Sequence, residues 1–237
     1  MAQTSRNKPG VEVFGENETK GKATDVAYSI QNSFEKNQKG IIGVVVAALI
    51  LVGGYFGYKY LIQAPGEEKA YKDLSYVQKW FEADSLKYVI NGDGQHPSGP
   101  AVIKKNSGTK AANLAQYYVG MSYLKSKDAN NAIKYLSEFN GEGTVIGNLA
   151  YGALGDAYMD AGKVDKAIEN YKKAASNEND QYTSALYSFR AGLASEKAGK
   201  TDEAKKFYKD IKDKYPNTLQ ARDIDKYLAR LGELSID

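Results

Sequence analysis

The chain of 237 residues contains no cysteine and a single histidine, and both scarcities limit the chemistry open to it. Without cysteine it forms no disulfide bond and has no thiol nucleophile, while an oxidising and a reducing compartment both remain possible. The one histidine, His96, lies in the loop-forming stretch NGDGQHPSGP, and no second histidine or cysteine accompanies it to complete a metal site. We therefore expect no metal centre, and we interpret His96 as a surface residue.

Catalytic signatures are missing as well. The sequence has no GxGxxG, GxxxxGK[ST] or GxSxG motif, so the common phosphate cradles and the nucleophile turn of hydrolases are absent. Asp84 and Asp93 lack the alternating ligands and the terminal glutamate of an EF-hand calcium loop. The sequence therefore predicts that the chain is not an enzyme and binds no cofactor and no small-molecule substrate.

The charge balance argues against nucleic-acid binding. Lysine and arginine total 32 and aspartate and glutamate total 29, which leaves a net charge of only +3. The lysines are interleaved with acids, as on ordinary solvated helix faces. With 42% hydrophobic residues, a chain of this length holds one ordinary domain plus extensions. We expect no nucleic-acid partner and no second globular domain.

One long apolar run stands out in residues 40–62, GIIGVVVAALILVGGYFGYKYLI, which carry no charge from Gly40 to Tyr58. About 20 helical residues span the hydrocarbon core of a bilayer, so this run predicts a single transmembrane helix. The alternatives are a buried core helix and a cleaved signal peptide. Gly53 and Gly57 form a small-xxx-small pair, which predicts a face where another membrane helix packs closely.

The segment before this run is polar. We predict that residues 1–39 form a largely disordered tail, with Val26, Ile30 and Phe34 indicating a short interfacial helix near its end. Lysines flank the span on both sides, and their counts give only a slight preference for a cytoplasmic N-terminus.

A repeat follows the span. Units that start near Asn113, Asn148 and Ala185 recur after 35 and then 37 residues. The first two units have small and aromatic residues in the same order and spacing, and the third unit keeps the small residues together with a later tyrosine. They are Gly120, Tyr123 and Ala132 in the first unit, Gly155, Tyr158 and Ala167 in the second, and Gly192, Ala204 and Tyr208 in the third. This period is typical of a helix-turn-helix repeat, and a generic helical bundle is the alternative.

The middle unit shows why small residues recur at fixed positions of the repeat. Apolar residues at three- and four-residue steps predict two amphipathic helices, and Gly162 falls where the first must end. We interpret Gly155 and Ala167 as the point where the two helices cross closely, and we expect the tyrosines to fill the space between repeats.

These residues resemble the tetratricopeptide (TPR) family, which has small residues at positions 8 and 20 of each repeat and aromatic residues at positions 11 and 24. Ser195 and Leu136 depart from the pattern, and only the third unit keeps a proline, Pro216. The resemblance implies an all-α fold, with a single N-terminal transmembrane helix followed by a TPR-type helical superhelix. The expected divisions are a degenerate leading hairpin and loop in 67–112, three repeats in 113–216 and a capping helix in 217–237.

In TPR proteins the first helix of each repeat lines a concave groove that binds protein partners. On this chain the resemblance places eight residues in the groove. The alternative for each of them is that it stabilises a neighbouring repeat and contacts no partner. The eight residues are Tyr117, Met121, Lys125, Asp156, Met159, Phe189, Leu193 and Lys197.

The whole architecture, together with the stretch GTKAANLAQYYVGMSYL, resembles the YfgM-like family of bacterial inner-membrane proteins. That resemblance implies an ancillary subunit of the Sec translocon, with a cytoplasmic N-terminus and periplasmic repeats, which partners a membrane-anchored PpiD-like chaperone. Two alternatives remain open at this point, a structural scaffold of a cell-envelope complex and a cytoplasm-facing receptor for targeting peptides.

Overall fold

The computed structural model describes residues 16–59, 64–177 and 180–233, which form eleven helices and no strand. The chain divides into two compact units, residues 1–61 and 62–237. The all-α prediction is confirmed. The helices are α1 (Glu16–Tyr58), α2 (Ala64–Glu82), α3 (Leu86–Asn91), α4 (Gly99–Lys105), α5 (Lys110–Lys125), α6 (Ala129–Glu138), α7 (Val145–Asp160), α8 (Val164–Ala174), α9 (Gln181–Lys197), α10 (Thr201–Lys214) and α11 (Leu219–Arg230).

Helix α1 contains the apolar run. Its segment Asn37–Tyr58 has 22 residues and a mean hydropathy of 2.3, which makes it long and apolar enough to cross a membrane. At 1.5 Å per residue this segment is about 33 Å long. None of the segment is buried within the protein, so it is not a core helix of the described structure. The end of the predicted span, residues 60–62, lies outside the described residues.

The same helix extends well before the apolar run. It begins at Glu16, so residues 16–39, predicted to be largely disordered, are helical here. No proline occurs between Pro9 and Pro65 to interrupt the helix. The polarity of residues 16–39 therefore did not predict that α1 begins at Glu16. Residues 1–15 of the predicted tail lie outside the described residues.

Three helical hairpins form the body of the second unit, and they are α5 with α6, α7 with α8, and α9 with α10. A methyl group on Gly155 would lie 2.5 Å from Cδ1 of Tyr171, and one on Gly192 would lie 2.4 Å from Cε1 of Tyr208. Such distances confirm the predicted close crossing of the two helices in a repeat. Both tyrosines also pack inside their own repeats, not only between repeats as the pattern predicted.

The turns inside the three hairpins share a left-handed residue. Gly162 and Gly199 end α7 and α9 with φ of 72°, a conformation that glycine reaches without a steric penalty. In the first repeat Lys127 occupies the equivalent place with φ of 64°. The three repeats therefore turn in the same way, although the first one lacks the glycine.

Helix α2 lies parallel to α5, with contacts in the same order along both helices. Apolar side chains of both helices form one buried cluster. The carboxylate of Glu67 accepts a hydrogen bond of 2.9 Å from the backbone N–H of Lys110 at the start of α5. Further along, Gln78 donates to the hydroxyl of Tyr118 at 3.2 Å. Helix α2 thus packs beside α5 at the place where the sequence predicts a leading hairpin.

The second arm of the predicted leading hairpin is broken into two short helices, α3 and α4. Gly92 ends α3 with φ of 77°, Pro97 lies between the two helices, and Pro100 lies in the first turn of α4, where proline is tolerated. Helix α5 then begins at Lys110, slightly before the predicted boundary of the first repeat at 113.

Helix α11 covers the last repeat. Ile224 and Leu228 are buried against Tyr208 and Ile211 of α10. This helix spans Leu219–Arg230, within the segment 217–237 that was expected to cap the repeats, and residues 234–237 lie outside the described residues.

Candidate partner-binding groove

The first helices of the three repeats border a cleft of about 380 Å³. It lies where the second half of α7 meets the end of α5 and the middle of α9. The cleft brings together three of the eight residues assigned to the groove, Lys125, Asp156 and Met159. Its remaining lining residues are Leu124, Lys127, Asp160 and Arg190.

Asp156 connects two repeats at the centre of this cleft. The hydroxyl of Tyr171, from the same repeat, donates a hydrogen bond of 2.6 Å to its Oδ1. The guanidinium of Arg190, from the following repeat, donates to its Oδ2. One carboxylate therefore ties α7 to both α8 and α9.

The contacts with Asp156 shift the pKa values of Tyr171 and Arg190. Burial raises the pKa of Tyr171, and the hydrogen bond to the Asp156 carboxylate raises it further. Burial by itself would lower the pKa of Arg190, but the adjacent Asp156 carboxylate outweighs it and raises that pKa. Tyr171 therefore stays a neutral donor and Arg190 stays charged at every physiological pH.

A second cluster of the same kind lies one repeat further along. Glu196 of α9 accepts hydrogen bonds from the hydroxyl of Tyr208 and from Arg230 of α11, the latter at 2.7 Å. In both clusters the arginine follows the carboxylate by 34 residues. The first-helix carboxylate thus joins each of these repeats to the next element of the superhelix.

Lys125 and Lys127 place positive charge on the rim of the cleft. The Nζ of Lys125 lies 2.6 Å from Oδ1 of Asp84 and 5.1 Å from the centre of the Phe81 ring. Lys127 lies 3.7 Å from Asp160, and 82% of its side chain is exposed. Exposed pairs of this kind exchange partners at little cost, so the rim charges are free to bind a ligand.

The apolar floor of the cleft comes from Leu124 and Met159. Both are half-buried, Leu124 against the cluster around Leu136 and Met159 against the cluster around Tyr171. A thioether adapts to irregular surfaces, which suits a site that accepts varied side chains.

Two other assigned residues belong mainly to the packing between the first repeats. Tyr117 is half-buried, and its ring lies 5.6 Å from that of Phe139. Burial raises the pKa of its hydroxyl. Met121 packs against the cluster formed by α6 and α7. These positions fit the alternative role, in which the residue stabilises its neighbours.

The last three assigned residues lie on α9 and differ in exposure. Phe189 contacts Tyr227 of α11 edge to face, with ring centres 4.8 Å apart, and is half-buried. Leu193 is 38% exposed and Lys197 is exposed. Leu193 and Lys197 thus remain open to a partner, whereas the capping helix covers part of Phe189.

Sequence reasoning missed four residues of the cleft, Leu124, Lys127, Asp160 and Arg190. Leu124 directly precedes Lys125 and Asp160 directly follows Met159, so the cleft is one residue wider on α5 and on α7 than the resemblance implied. Arg190 carried no repeat signal, because the second and third units lie 37 residues apart and Arg190 follows Asp156 by 34.

His96 is held at the surface, as predicted. Its Nδ1 lies 2.9 Å from Asp93 and its ring stacks on Tyr76 with centres 3.7 Å apart. In the part of the chain that the structure describes, histidine, aspartate and glutamate form no group of three suited to a metal ion.

Gly53 and Gly57 lie in the apolar segment of α1. A methyl group on either would meet nothing within 4 Å. The surface beside them is therefore open to a second helix.

Comparison with known families agrees with the geometry of the hairpins. Models of the tetratricopeptide repeat match residues 114–140, 149–181 and 187–218, which correspond to the three hairpins described above. Comparison with curated proteins gives no match. Tetratricopeptide repeats are protein-interaction modules, and the segment from 114 to 218 contains three of them.

Proposed function

We propose that this chain is a membrane-anchored interaction subunit that binds an extended peptide or a partner helix in the cleft between α5, α7 and α9. As its setting we propose the Sec translocon of the bacterial inner membrane, next to a membrane-anchored PpiD-like chaperone. The N-terminus is then cytoplasmic, the repeats are periplasmic, and the protein assists newly exported chains.

The observation that carries the binding role is the composition of the cleft. Charges of both signs surround an apolar floor, and Lys127 and Asp160 remain substantially exposed. Such a surface accepts apolar side chains of a peptide on the floor and its charged groups on the rim. Leu193 and Lys197 extend the same surface along α9.

The apolar segment of α1 supports the anchor. Within it, Gly53 and Gly57 provide a face at which a membrane helix of a partner subunit packs, because small residues allow close approach of two helices. The translocon setting rests on resemblance alone, and its test must therefore identify partners.

The test uses a photo-crosslinking amino acid at positions 159 and 193 of the full chain, and at Lys206 on the exposed side of α10 as a control. Membranes are irradiated and solubilised in mild detergent, and the adducts are identified by mass spectrometry. We expect translocon subunits and a periplasmic chaperone at 159 and 193 but not at 206. Lys127→Glu should abolish the adducts, whereas Lys206→Glu should not.

Adducts with envelope-assembly proteins would replace the translocon proposal with the scaffold alternative. Topology is tested separately by protease treatment of spheroplasts. The proposal requires that the repeats are degraded without lysis, and a protected domain would instead support the cytoplasm-facing receptor.

A further inference from the structure

We propose that a cavity at the open end of the second hairpin binds an extended peptide segment, one residue of which pairs through its backbone with the side-chain amide of Asn148. The open end is the end of the hairpin opposite to the tight turn at Gly162. The proposal depends neither on the cleft between α5, α7 and α9 nor on the translocon setting.

The cavity lies between the first half of α7 and the end of α8. Asn148 and Tyr151 line it from α7, Lys173 lines it from α8, and Glu142 lines it from the loop before α7. Its volume of about 460 Å³ falls in the range of about 300–1,000 Å³ that is usual for ligand sites. The cavity and the cleft have no lining residue in common, so they are two separate places on the second repeat.

Asn148 is a buried polar residue that faces this cavity without a partner. Only 8% of its surface is exposed, and its side-chain amide forms no hydrogen bond with any described residue. In the described part of the chain, the fully enclosed side-chain atoms without a partner are Gln116 Oε1 and Ser195 Oγ, so the small exposed surface of Asn148 includes its amide. An amide in such a place is stabilised by a ligand that supplies both a hydrogen-bond acceptor and a donor.

The equivalent residue of the first repeat, Asn113, shows which group fits such an amide. Asn113 follows the capping residue Thr109 by four positions, as Asn148 follows Thr144. The Nδ2 of Asn113 donates a hydrogen bond of 2.8 Å to the carbonyl oxygen of Asn140, and its Oδ1 accepts one of 2.8 Å from the backbone N–H of the same residue. One amide therefore binds both backbone groups of one residue, and these two groups lie on the same side of an extended chain.

The chain itself supplies this partner in the first repeat but not in the second. After α6, Phe139 is extended, with φ of −71° and ψ of 125°, and Asn140 returns to α5. After α8, Ala175 takes the position of Asn140, 35 residues later, but its N–H donates to the carbonyl oxygen of Tyr171 at 2.9 Å. Because the last turn of α8 retains this backbone group, a separate segment has to supply the partner of Asn148.

The rim of the cavity indicates the side chains of that segment. Glu142 and Lys173 are exposed, and neither forms an ion pair with another described residue. The Nζ of Lys173 lies 5.5 Å from the centre of the half-buried Tyr151 ring. One charge of each sign beside an aromatic wall suits a segment with an apolar residue between a basic and an acidic one.

The probe for the test is the capped tripeptide acetyl-Lys-Val-Glu-amide, because its valine favours an extended backbone. The same peptide with N-methylvaline is the matched control, since it lacks the N–H that would donate to Asn148. NMR spectra of the full chain in detergent, with isotope-labelled asparagine, follow the side-chain amide signal that is missing from Asn148→Leu. We expect the probe to shift this signal saturably and the N-methylated control to bind about tenfold more weakly, as for the loss of one hydrogen bond.

A second measurement compares the two amides in the chain without a peptide. Asn113→Leu should lower the urea midpoint of unfolding, because it leaves the N–H and the carbonyl of Asn140 without their partner. Asn148→Leu should keep or raise the midpoint, because it removes an amide that has no partner. A lower midpoint in Asn148→Leu would mean that the chain already satisfies this amide, and would overturn the proposal.

The titration has outcomes that also overturn the proposal. Equal binding of the probe and its N-methylated form would show that the backbone N–H does not pair with Asn148. No shift up to the solubility limit of the probe would leave the cavity to water. Lys127→Glu, which alters only the cleft, should leave the affinity measured at Asn148 unchanged. Loss of the shift in this variant would place the peptide in the cleft, and would overturn this proposal without contradicting the proposed function.

Discussion

The hydroxyl of Tyr171 donates a hydrogen bond of 2.6 Å to Asp156, whose other carboxylate oxygen accepts from Arg190 of the next repeat. Removing the hydroxyl in Tyr171→Phe keeps the ring against Gly155 but leaves the half-buried carboxylate with one donor fewer. We expect a loss of about 1 kcal/mol in the free energy of unfolding. Urea unfolding of the full chain in detergent measures it.

Tyr158→Phe serves as the matched control, since its hydroxyl has no hydrogen bond among the described residues. It should change the free energy of unfolding by much less. Equal losses in the two variants would show that the carboxylate contact contributes nothing specific.

A methyl group at Gly155 has no room. The Gly155→Ala variant places it 2.5 Å from the Tyr171 ring, which is packed on both sides. Overpacking costs about 1–3 kcal/mol, and the better helix propensity of alanine returns only about 1 kcal/mol. We expect a net loss of stability in urea unfolding. In Gly66→Ala, where a methyl group meets nothing within 4 Å, only the propensity gain should remain.

Lys127 has a left-handed backbone in a place where the other repeats have glycine. A side chain on a left-handed residue lowers the free energy of unfolding by about 1–2 kcal/mol. Glycine recovers only part of this, because it also gives the unfolded chain more conformational entropy. Lys127→Gly should therefore raise the thermal midpoint by a few degrees, corresponding to about 0.5–1 kcal/mol. Gly162→Ala, the converse change at φ of 72°, should lower the midpoint, and a decrease in both variants would contradict the strain argument.

The loop around His96 gives a pH-dependent prediction. Hydrogen bonds from the His96 ring, its backbone N–H and the backbone N–H of Gln95 lower the pKa of Asp93 to about 2. Because the folded pKa is below the unfolded one, ionised Asp93 stabilises the loop above about pH 4, and this contribution is lost as the pH falls towards 2.

Carbon-detected NMR titration of the carboxylates should show this low pKa in the full chain. His96→Ala should raise the pKa of Asp93 towards 3.8 and leave that of Asp128, which is lowered by its hydrogen bonds to Asn131, unchanged. An unaltered Asp93 in the variant would mean that the backbone donors alone hold the carboxylate.

The repeat pattern predicted contacts inside each hairpin better than contacts between hairpins. Gly155 and Gly192 were identified because close crossing within a repeat requires a small residue at a fixed position. The pairing of Asp156 with Arg190 depends on how one hairpin is rotated against the next, and that rotation has no one-residue signature. For the same reason the neighbours of Phe189 on α11 were not predicted.

The leading segment and the start of α1 show two further limits. Hydropathy marks where a membrane span begins, but it does not mark where the helix begins. Because no proline interrupts the preceding residues, α1 starts at Glu16 and not near Gly40. In the predicted leading hairpin, the stretch from Gly92 to Pro97 separates α3 from α4, and the apolar spacing on α2 does not reveal that.

The two carboxylate clusters have a mechanical consequence for the superhelix. Asp156 ties the second repeat to the third, and Glu196 ties the third to α11, whereas the ion pair between the first two repeats, Lys127 with Asp160, is exposed and 3.7 Å long. Charged ties between neighbouring elements of the superhelix are therefore concentrated after α7, whereas the apolar cluster around Leu136 and Leu154 holds the joint between α6 and α7. A partner that engages Lys127 or Asp160 in the cleft would therefore act on the exposed ion pair at this joint, while the apolar packing of the joint stays in place.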